Sequence, residues 1–187
     1  MSDILIRSAT VLYSGWGRLT KYRIKVGDQP DVEREVYDHG DGAAVLPYDP
    51  VRKCVLLARQ FRLPLHLATG EGMMIEACAG LLDGETPEVC IRREAREELG
   101  YRIGGLEGLG RVFLSPGSLS ESVWLFLAPY SAGDRTSPGG GNAHEGEHIE
   151  VLEMTADEAW KKMEAGVICD GKTIILLQAL KAKWGTA

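Results

Sequence analysis

The sequence has no run of about 18 apolar residues, the shortest stretch that crosses a bilayer as a helix. A membrane-embedded protein is therefore excluded. The N-terminal segment MSDILIRSATVLYSGWG lacks the basic start, apolar centre and small-residue cleavage site of a signal peptide. We therefore expect the protein to stay in the cytoplasm.

Long basic runs are also missing, and the net charge is -6. Proteins that bind nucleic acid through its phosphates concentrate lysine and arginine on one surface, so this class is excluded. An anionic substrate would need local arginines, lysines or metal ions. CxxC pairs are absent as well, so a zinc site or a disulfide framework is not expected. We expect buried, reduced thiols at Cys54, Cys78, Cys90 and Cys169.

What is present fits one catalytic domain with a small added element, because 187 residues are few for two independent domains. Strand-like runs separated by turn-rich segments occupy residues 1–40, which we assign to an antiparallel β-segment. Residues 41–187 are assigned to the catalytic domain. AAVLPY and KCVLLARQF, joined by DPVR, predict a hairpin, and GMMIEACAG predicts a strand.

The segment TPEVCIRREAREELGY carries the clearest helix signals. Thr86 suits the N-cap, Pro87 the first helical position, and Gly100 the stop. Strands are predicted at GLGRVFL, SVWLFLAPY and HIEVLEM, a mobile loop at SAGDRTSPGGGNAHEGE, and two further helices at TADEAWKKMEAG and KTIILLQALKAKWG. This order predicts an α+β fold, a mixed sheet with helical layers.

Three carboxylates share one face of the capped helix: Glu94, Glu97 and Glu98 stand at i, i+3 and i+4. Like charges at these spacings repel, which favours a bound cation, and oxygen ligands suit magnesium or manganese. The alternative is a solvated acidic face balanced by neighbouring arginines. A preceding glycine turn and an opposite apolar face favour the metal site.

The segment GLLDGETPEVCIRREAREELGY resembles the signature box of the Nudix hydrolases. Its REAREELG half fits at every position. The first half departs, because the four residues between Gly80 and Glu85 are one fewer than usual. The role of Glu85 is therefore open. The resemblance implies the Nudix fold, a mixed sheet sandwiched between helices (α/β/α).

A narrower resemblance, to the GDP-mannose pyrophosphatases related to the ADP-ribose pyrophosphatases, rests on REVYDHGDGAAVL, RQFR, EACAGLLD, PEVCIRREA, SPGSLSE, GGGN, HIEVLE and DGKT. It implies hydrolysis of a nucleoside diphosphate sugar, with GDP-mannose giving GMP and mannose 1-phosphate. Two alternatives stay open: an ADP-ribose pyrophosphatase, and a non-catalytic Nudix-like binding module. The three helix glutamates argue against the module.

The resemblance also implies a site. Magnesium, or manganese in its place, would be held by the Ala79 carbonyl, Glu94, Glu97, Glu98 and Glu147. Glu147 would be a metal ligand or the base for the attacking water, with Glu145 and Glu150 as neighbouring alternatives. Arg93 would anchor the helix by pairing with an acid. These glutamates form the predicted catalytic set.

Substrate contacts are implied at Trp16, Arg34, Arg62, Gly80, Leu81, Glu121 and Lys172. Arg62 and Lys172 suit phosphate binding, since guanidinium and ammonium groups neutralise phosphate oxygens. Trp16 corresponds to an aromatic residue that stacks on the base, although a core or interface role is the alternative. Arg34 corresponds to a residue that reaches the nucleotide of the neighbouring subunit. The resemblance thus implies a homodimer with shared active sites, joined through the N-terminal segment.

Overall fold

The computed structural model describes residues 3–142 and 146–185. It divides into two compact units. One ends at Asp41 and also includes Phe113–Ser122; the other holds Gly42–Val112 and the chain from Val123 onward. The segment Phe113–Ser122 thus belongs with the N-terminal strands, although the sequence analysis placed it in the catalytic domain.

The first unit is built on a three-stranded antiparallel sheet in the order β1-β2-β3. Its strands are β1 (Ile4–Ser14), β2 (Arg18–Val26) and β3 (Val32–Asp38). The antiparallel N-terminal segment is confirmed. Every residue of β1 is exposed, including the large apolar side chains Ile4 and Leu5, which point to opposite faces. Exposure of apolar groups on both faces of a strand is unusual in a monomer.

The second unit contains a seven-stranded mixed sheet in the order β10-β5-β4-β9-β8, with β6 beside β5 and β7 beside β4. The β4–β9 pair is parallel and the other pairs are antiparallel. Its strands are β4 (Gly42–Asp49), β5 (Cys54–Phe61), β6 (Met73–Glu76), β7 (Cys78–Leu81), β8 (Glu107–Val112), β9 (Val123–Pro129) and β10 (Glu150–Thr155).

Four helices accompany this sheet: α1 (Leu63–Thr69), α2 (Pro87–Glu97), α3 (Ala156–Glu164) and α4 (Gly171–Trp184). Strand β4 shows why both faces of the sheet are covered. All eight of its residues are buried, and its side chains alternate between two apolar clusters. One cluster includes residues of α3 and α4, and the other includes residues of α2. The predicted sandwich of a mixed sheet between helices is confirmed.

The predicted hairpin is present but splayed. Strands β4 and β5 pair only beside their turn, at Tyr48–Val55 and Asp49–Cys54. Further along, β6 takes the place next to β5 and β7 the place next to β4. The prediction of one strand over GMMIEACAG was therefore wrong, because the chain changes neighbours at Ala77. Glu76, the last residue of β6, and Ala79, in β7, thus lie on either side of this change of strand.

Side-chain caps fix the helix starts that matter for the site. Thr86 accepts a hydrogen bond from the Val89 amide, and Asp170 accepts one from the Thr173 amide. Helix α1 was not predicted, because its seven residues span only about two turns, which is too short a window for helical periodicity to be recognised.

The four cysteines are free thiols, as predicted. Cys78 and Cys90 are buried, whereas Cys169 is exposed, which corrects the expectation of burial for that residue.

None of the helices within residues 3–142 and 146–185 combines the length and apolarity needed to span a bilayer.

Candidate active site

Helix α2 carries the acidic cluster. Its apolar face packs against the sheet through Cys90, Ile91 and Ala95. Glu94 and Glu98 stand one helical turn apart, beside strand β7, and Glu98 lies at the C-cap. Two carboxylates are thus carried into the protein by the same packing that holds the helix.

Glu98 is 1% exposed, which is rare for a carboxylate. Its Oε2 accepts a hydrogen bond from the backbone N–H of Ala79 at 3.2 Å, and the Cys78 thiol also donates to it. Burial raises the pKa of Glu98 to about 8, and the charges of Glu94 and Glu147 add to the rise.

Glu94 is also largely buried. Burial raises its pKa to about 7; Arg93 opposes this rise, and the charges of Glu97 and Glu147 add to it. A Cβ built at Gly80 would overlap the Glu94 carboxylate, so only glycine allows this close approach of β7 to the helix. The predicted substrate residue Gly80 therefore shapes the acidic cluster directly.

Arg93 neutralises part of this charge. Its Nε and Nη2 donate to Glu85 Oε2 at 3.1 and 3.0 Å, and its Nη1 donates to Glu94 and Glu97 at 2.8 and 2.9 Å. The predicted pairing of Arg93 with a nearby acid is confirmed. The role of Glu85 is now clear: it holds the guanidinium in place from the loop before the helix.

The glycine-rich loop closes the C-terminal end of α2. Gly140 and Gly141 donate their backbone N–H groups to the carbonyls of Glu98 and Glu97 at 2.9 and 3.1 Å. Glu147 follows, and its Oε2 accepts from the Asn142 amide at 2.9 Å. Because its charge raises the pKa of both buried glutamates of α2, Glu147 lies within their electrostatic reach.

The two alternatives to Glu147 differ in position. Glu150 is exposed on β10 and pairs with Arg59 at 3.1 Å. Glu145 lies outside the described residues. Among the described acids of this loop, Glu147 is therefore the one that acts on the cluster.

The donor chemistry of the cluster fits a hard divalent cation. Buried carboxylates with raised pKa values gain from a cation, because it relieves the repulsion between them and favours their charged forms. No three His, Cys, Asp or Glu side chains of the described ranges are already grouped as metal ligands. Arg93 forms ion pairs with Glu94 and Glu97 at 2.8 and 2.9 Å.

A second polar cluster contains the predicted phosphate ligands. Glu76 Oε1 accepts from Arg62 Nε at 2.7 Å, and Glu76 Oε2 accepts from Lys172 Nζ at 2.7 Å. Lys172 also donates to Asp170 at 3.0 Å. The charge of Glu98 contributes to raising the pKa of Arg62, so the two clusters interact electrostatically.

The remaining predicted residues differ in placement. Leu81 lies in β7, where its carbonyl accepts a hydrogen bond from the Cys90 thiol at 3.3 Å. Trp16, Arg34 and Glu121 belong to the first unit. Arg34 is exposed on β3 and donates to the Glu33 carbonyl at 2.8 Å.

Trp16 and Glu121 are linked through His39. Trp16 is 74% exposed, and its ring stacks on His39 at a centroid distance of 4.9 Å. His39 Nε2 lies 3.8 Å from Glu121 Oε2. Buried His39 Nδ1 has no hydrogen-bond partner within the part of the chain that the structure describes. Such an exposed ring offers a flat surface for a base.

The family model of the NUDIX domain matches residues 38–177. The chain belongs to the Nudix family. Its segment around α2 lies within the matched range and resembles the Nudix box, in which Glu94, Glu97 and Glu98 correspond to the glutamates of the motif. The shortened loop before the helix still delivers Glu85 to the box arginine, Arg93.

The alignments with related proteins cover most of this Nudix chain. It is 49% identical to the GDP-mannose pyrophosphatase of Cronobacter sakazakii over 160 residues, which cover 85% of this chain and 83% of the relative. It is 46% identical to the GDP-mannose pyrophosphatase of Pectobacterium atrosepticum over 182 residues, which cover 95% and 93%. It is 47% identical to that of Escherichia coli over 150 residues, which cover 80% and 78%.

A solved structure supports the fold. The crystal structure of an ADP compounds hydrolase matches with a TM-score of 0.78 over 99% of this chain and 97% of that one. The sequence identity is 14%, so this likeness concerns the fold.

Sequence reasoning missed two residues: Glu76, which joins Arg62 to Lys172, and His39, which lies between Trp16 and Glu121. A signal for Glu76 was available, because it is the one charged residue in the apolar run GMMIEACAG. A lone carboxylate in a buried strand requires cationic partners. No comparable signal marked His39, since its contacts join segments that are distant in sequence.

Proposed function

We propose that this Nudix protein hydrolyses the pyrophosphate bond of a nucleoside diphosphate sugar, with GDP-mannose as substrate and GMP and mannose 1-phosphate as products. The observation that carries the proposal is identity of 46–49% to GDP-mannose pyrophosphatases over most of the chain. The glutamates of α2 would hold a divalent cation, and the polar cluster around Glu76 carries two cationic side chains. Both clusters therefore suit the binding of a diphosphate.

The carboxylates of Glu94, Glu97 and Glu98, the Ala79 carbonyl and Glu147 would hold magnesium, with manganese as the alternative. When bound, a divalent ion lowers the pKa of a coordinated water and neutralises pyrophosphate oxygens. To hold the ion, Glu94 and Glu97 would have to give up their hydrogen bonds to Arg93, while Arg93 would keep its two hydrogen bonds to Glu85.

Glu147 is proposed as the base or a further metal ligand. As base, it takes a proton from the attacking water while the new bond forms between that oxygen and phosphorus. The bond from this phosphorus to the bridging oxygen breaks, and the second phosphate leaves with that oxygen. Glu147 suits this role because it is half-buried beside the two buried glutamates, with its carboxylate held by Asn142.

The substrate contacts that the family resemblance implies are proposed residue by residue. Arg62 and Lys172 would hold the phosphates, with Gly80 and Leu81 alongside the acidic cluster. Trp16 would stack on the base, and Glu121 would accept from hydroxyl or amide groups of the substrate. Arg34 would act on the nucleotide bound by a second subunit.

The substrate test compares GDP-mannose with ADP-ribose under identical conditions with magnesium. We expect kcat/KM to favour GDP-mannose by about tenfold or more, because one lost hydrogen bond at the base edge is worth at least that factor. A preference for ADP-ribose by a similar margin would keep the chemistry and replace the substrate. Binding of GDP-mannose without any product over hours would instead support the binding-module alternative.

We further propose a homodimer joined through β1. Support comes from the exposed apolar side chains of that strand, Ile4 at 71% and Ile6 at 59% among them, which a partner would cover. Light scattering is expected to give twice the chain mass, and Ile6→Glu is expected to shift the protein toward monomer. A monomeric wild type would contradict the proposal of a shared active site.

A cytoplasmic location stays a prediction from the sequence.

A further inference from the structure

Glu76 connects the two cations that we assign to the substrate phosphates. It ends strand β6, immediately before the chain crosses from β5 to β4, and it is 2% exposed. Its two carboxylate oxygens have different partners: Oε1 accepts from Arg62 and Oε2 from Lys172, each at 2.7 Å. A single buried side chain therefore sets the separation of the two cations.

The surroundings make this arrangement rigid. Asp170 accepts from Lys172 with one oxygen and caps α4 through the Thr173 amide with the other, at 3.0 Å in both cases. The buried Thr173 hydroxyl accepts from the Ala77 amide at 2.7 Å. The start of α4 is thereby bonded to the residue that follows Glu76. Lys172 and Glu76 are held from both sides.

Both cations keep hydrogen-bonding capacity for a ligand. Arg62 uses Nε for Glu76, and neither of its Nη groups donates a hydrogen bond to a protein group in the described ranges. Lys172 has three N–H groups and uses two of them, on Glu76 and Asp170. Two carboxylates and two cations give this cluster no net charge, so its ability to bind an anion depends on where the cations point.

We propose that Glu76 is a positioning residue of the active site, which holds Arg62 and Lys172 at the spacing needed to grip the two phosphates of the substrate diphosphate. This inference rests on the proposed function and adds Glu76 to its machinery. Glu76 touches no substrate in this role; it acts through the two cations. Its burial and its separate bonds to both of them distinguish it from a surface ion pair.

The kinetic test uses Glu76→Gln and Glu76→Asp. Glutamine keeps the shape but has one acceptor oxygen, so it holds one cation and turns an N–H group toward the other. We expect KM for GDP-mannose to rise about tenfold or more and kcat to change less than about threefold. Aspartate keeps the charge but is shorter, so an intermediate KM is expected. It also provides a second test if Glu76→Gln folds poorly.

The matched control is Glu153→Gln. Glu153 also bridges two donors, Arg52 and Tyr130, each at 2.7 Å, but it lies on β10 outside both clusters. Its replacement is expected to lower the melting temperature and leave KM unchanged. A merely structural role for Glu76 predicts the same pattern for Glu76→Gln: less folded protein, a lower apparent kcat and an unchanged KM. That pattern would overturn the inference.

Binding separates this inference from the proposed function. GDP, which carries the diphosphate, is titrated calorimetrically into each protein with EDTA present, so that protein groups alone hold it. Binding about tenfold weaker in Glu76→Gln than in wild type supports the positioning role even if wild type does not hydrolyse GDP-mannose. Equal GDP binding by the two proteins overturns the positioning role even if wild type does hydrolyse GDP-mannose.

Discussion

The substitution Glu98→Gln is expected to remove most of the activity and, at the same time, to stabilise the metal-free protein. Glu98 is a proposed metal ligand, and its loss should lower kcat/KM about a hundredfold or more. It is also a buried carboxylate that forms no direct ion pair with a residue of the described ranges. Without metal, its charge is a cost to folding.

The size of that cost follows from the pKa. Burial raises the pKa of Glu98 from 4.5 to about 8. Because the folded value is the higher one, the penalty is absent below 4.5, grows as the pH rises, and reaches about 3 kcal/mol at pH 7. Glutamine avoids it but leaves amide N–H groups poorly bonded, at about 1–2 kcal/mol. The net gain of about 1–2 kcal/mol corresponds to a melting temperature about 2–8 °C higher.

The assay combines turnover of GDP-mannose in magnesium with thermal unfolding in EDTA at pH 7. The control is Glu88→Gln, which removes an exposed carboxylate from the first turn of the same helix and should leave turnover unchanged. Near wild-type turnover of Glu98→Gln would refute its role as a ligand. A lower melting temperature than wild type in EDTA would refute the electrostatic reasoning.

Three further results are expected. In EDTA, wild-type protein should melt at a lower temperature at pH 8 than at pH 5.5, because raised pKa values at Glu94 and Glu98 make stability fall between 4.5 and about 8; a higher value at pH 8 contradicts this. Gly80→Ala should lower turnover about a hundredfold by displacing the Glu94 carboxylate, with little change in melting temperature; unchanged turnover contradicts it. Thr173→Val should lower the free energy of unfolding, measured in urea, by about 2–4 kcal/mol, since the Ala77 amide loses its acceptor; a loss below about 0.5 kcal/mol contradicts it.

Local signals predicted helix α2 well. Thr86 and Pro87 mark its start through cap chemistry, which depends on residues a few positions apart. The helix ends at Glu97 with Glu98 at the C-cap, and the predicted stop, Gly100, follows two residues later with a positive φ of 77°. The i, i+3, i+4 spacing likewise predicted that its glutamates share one face. Helix α1 has seven residues, which are too few for helical periodicity to be recognised in the sequence.

Long-range pairing was harder to predict. The run GMMIEACAG has the same local pattern whether it forms one strand or two, and only the splayed hairpin decides that it changes partners at Ala77. The same limit applies to Glu76, whose partners lie 14 and 96 positions away. The family resemblance predicted Arg62 and Lys172 as phosphate ligands, but their connection through one carboxylate required the fold.

The most direct test of the central claim is incubation of wild-type protein with GDP-mannose, with and without magnesium, followed by chromatographic identification of the products. We expect GMP and mannose 1-phosphate in equal amounts with magnesium, and neither compound in EDTA. Formation of GDP and free mannose would contradict cleavage at the pyrophosphate bond. Absence of any product with magnesium, from protein that binds GDP-mannose, would contradict the proposed hydrolase activity itself.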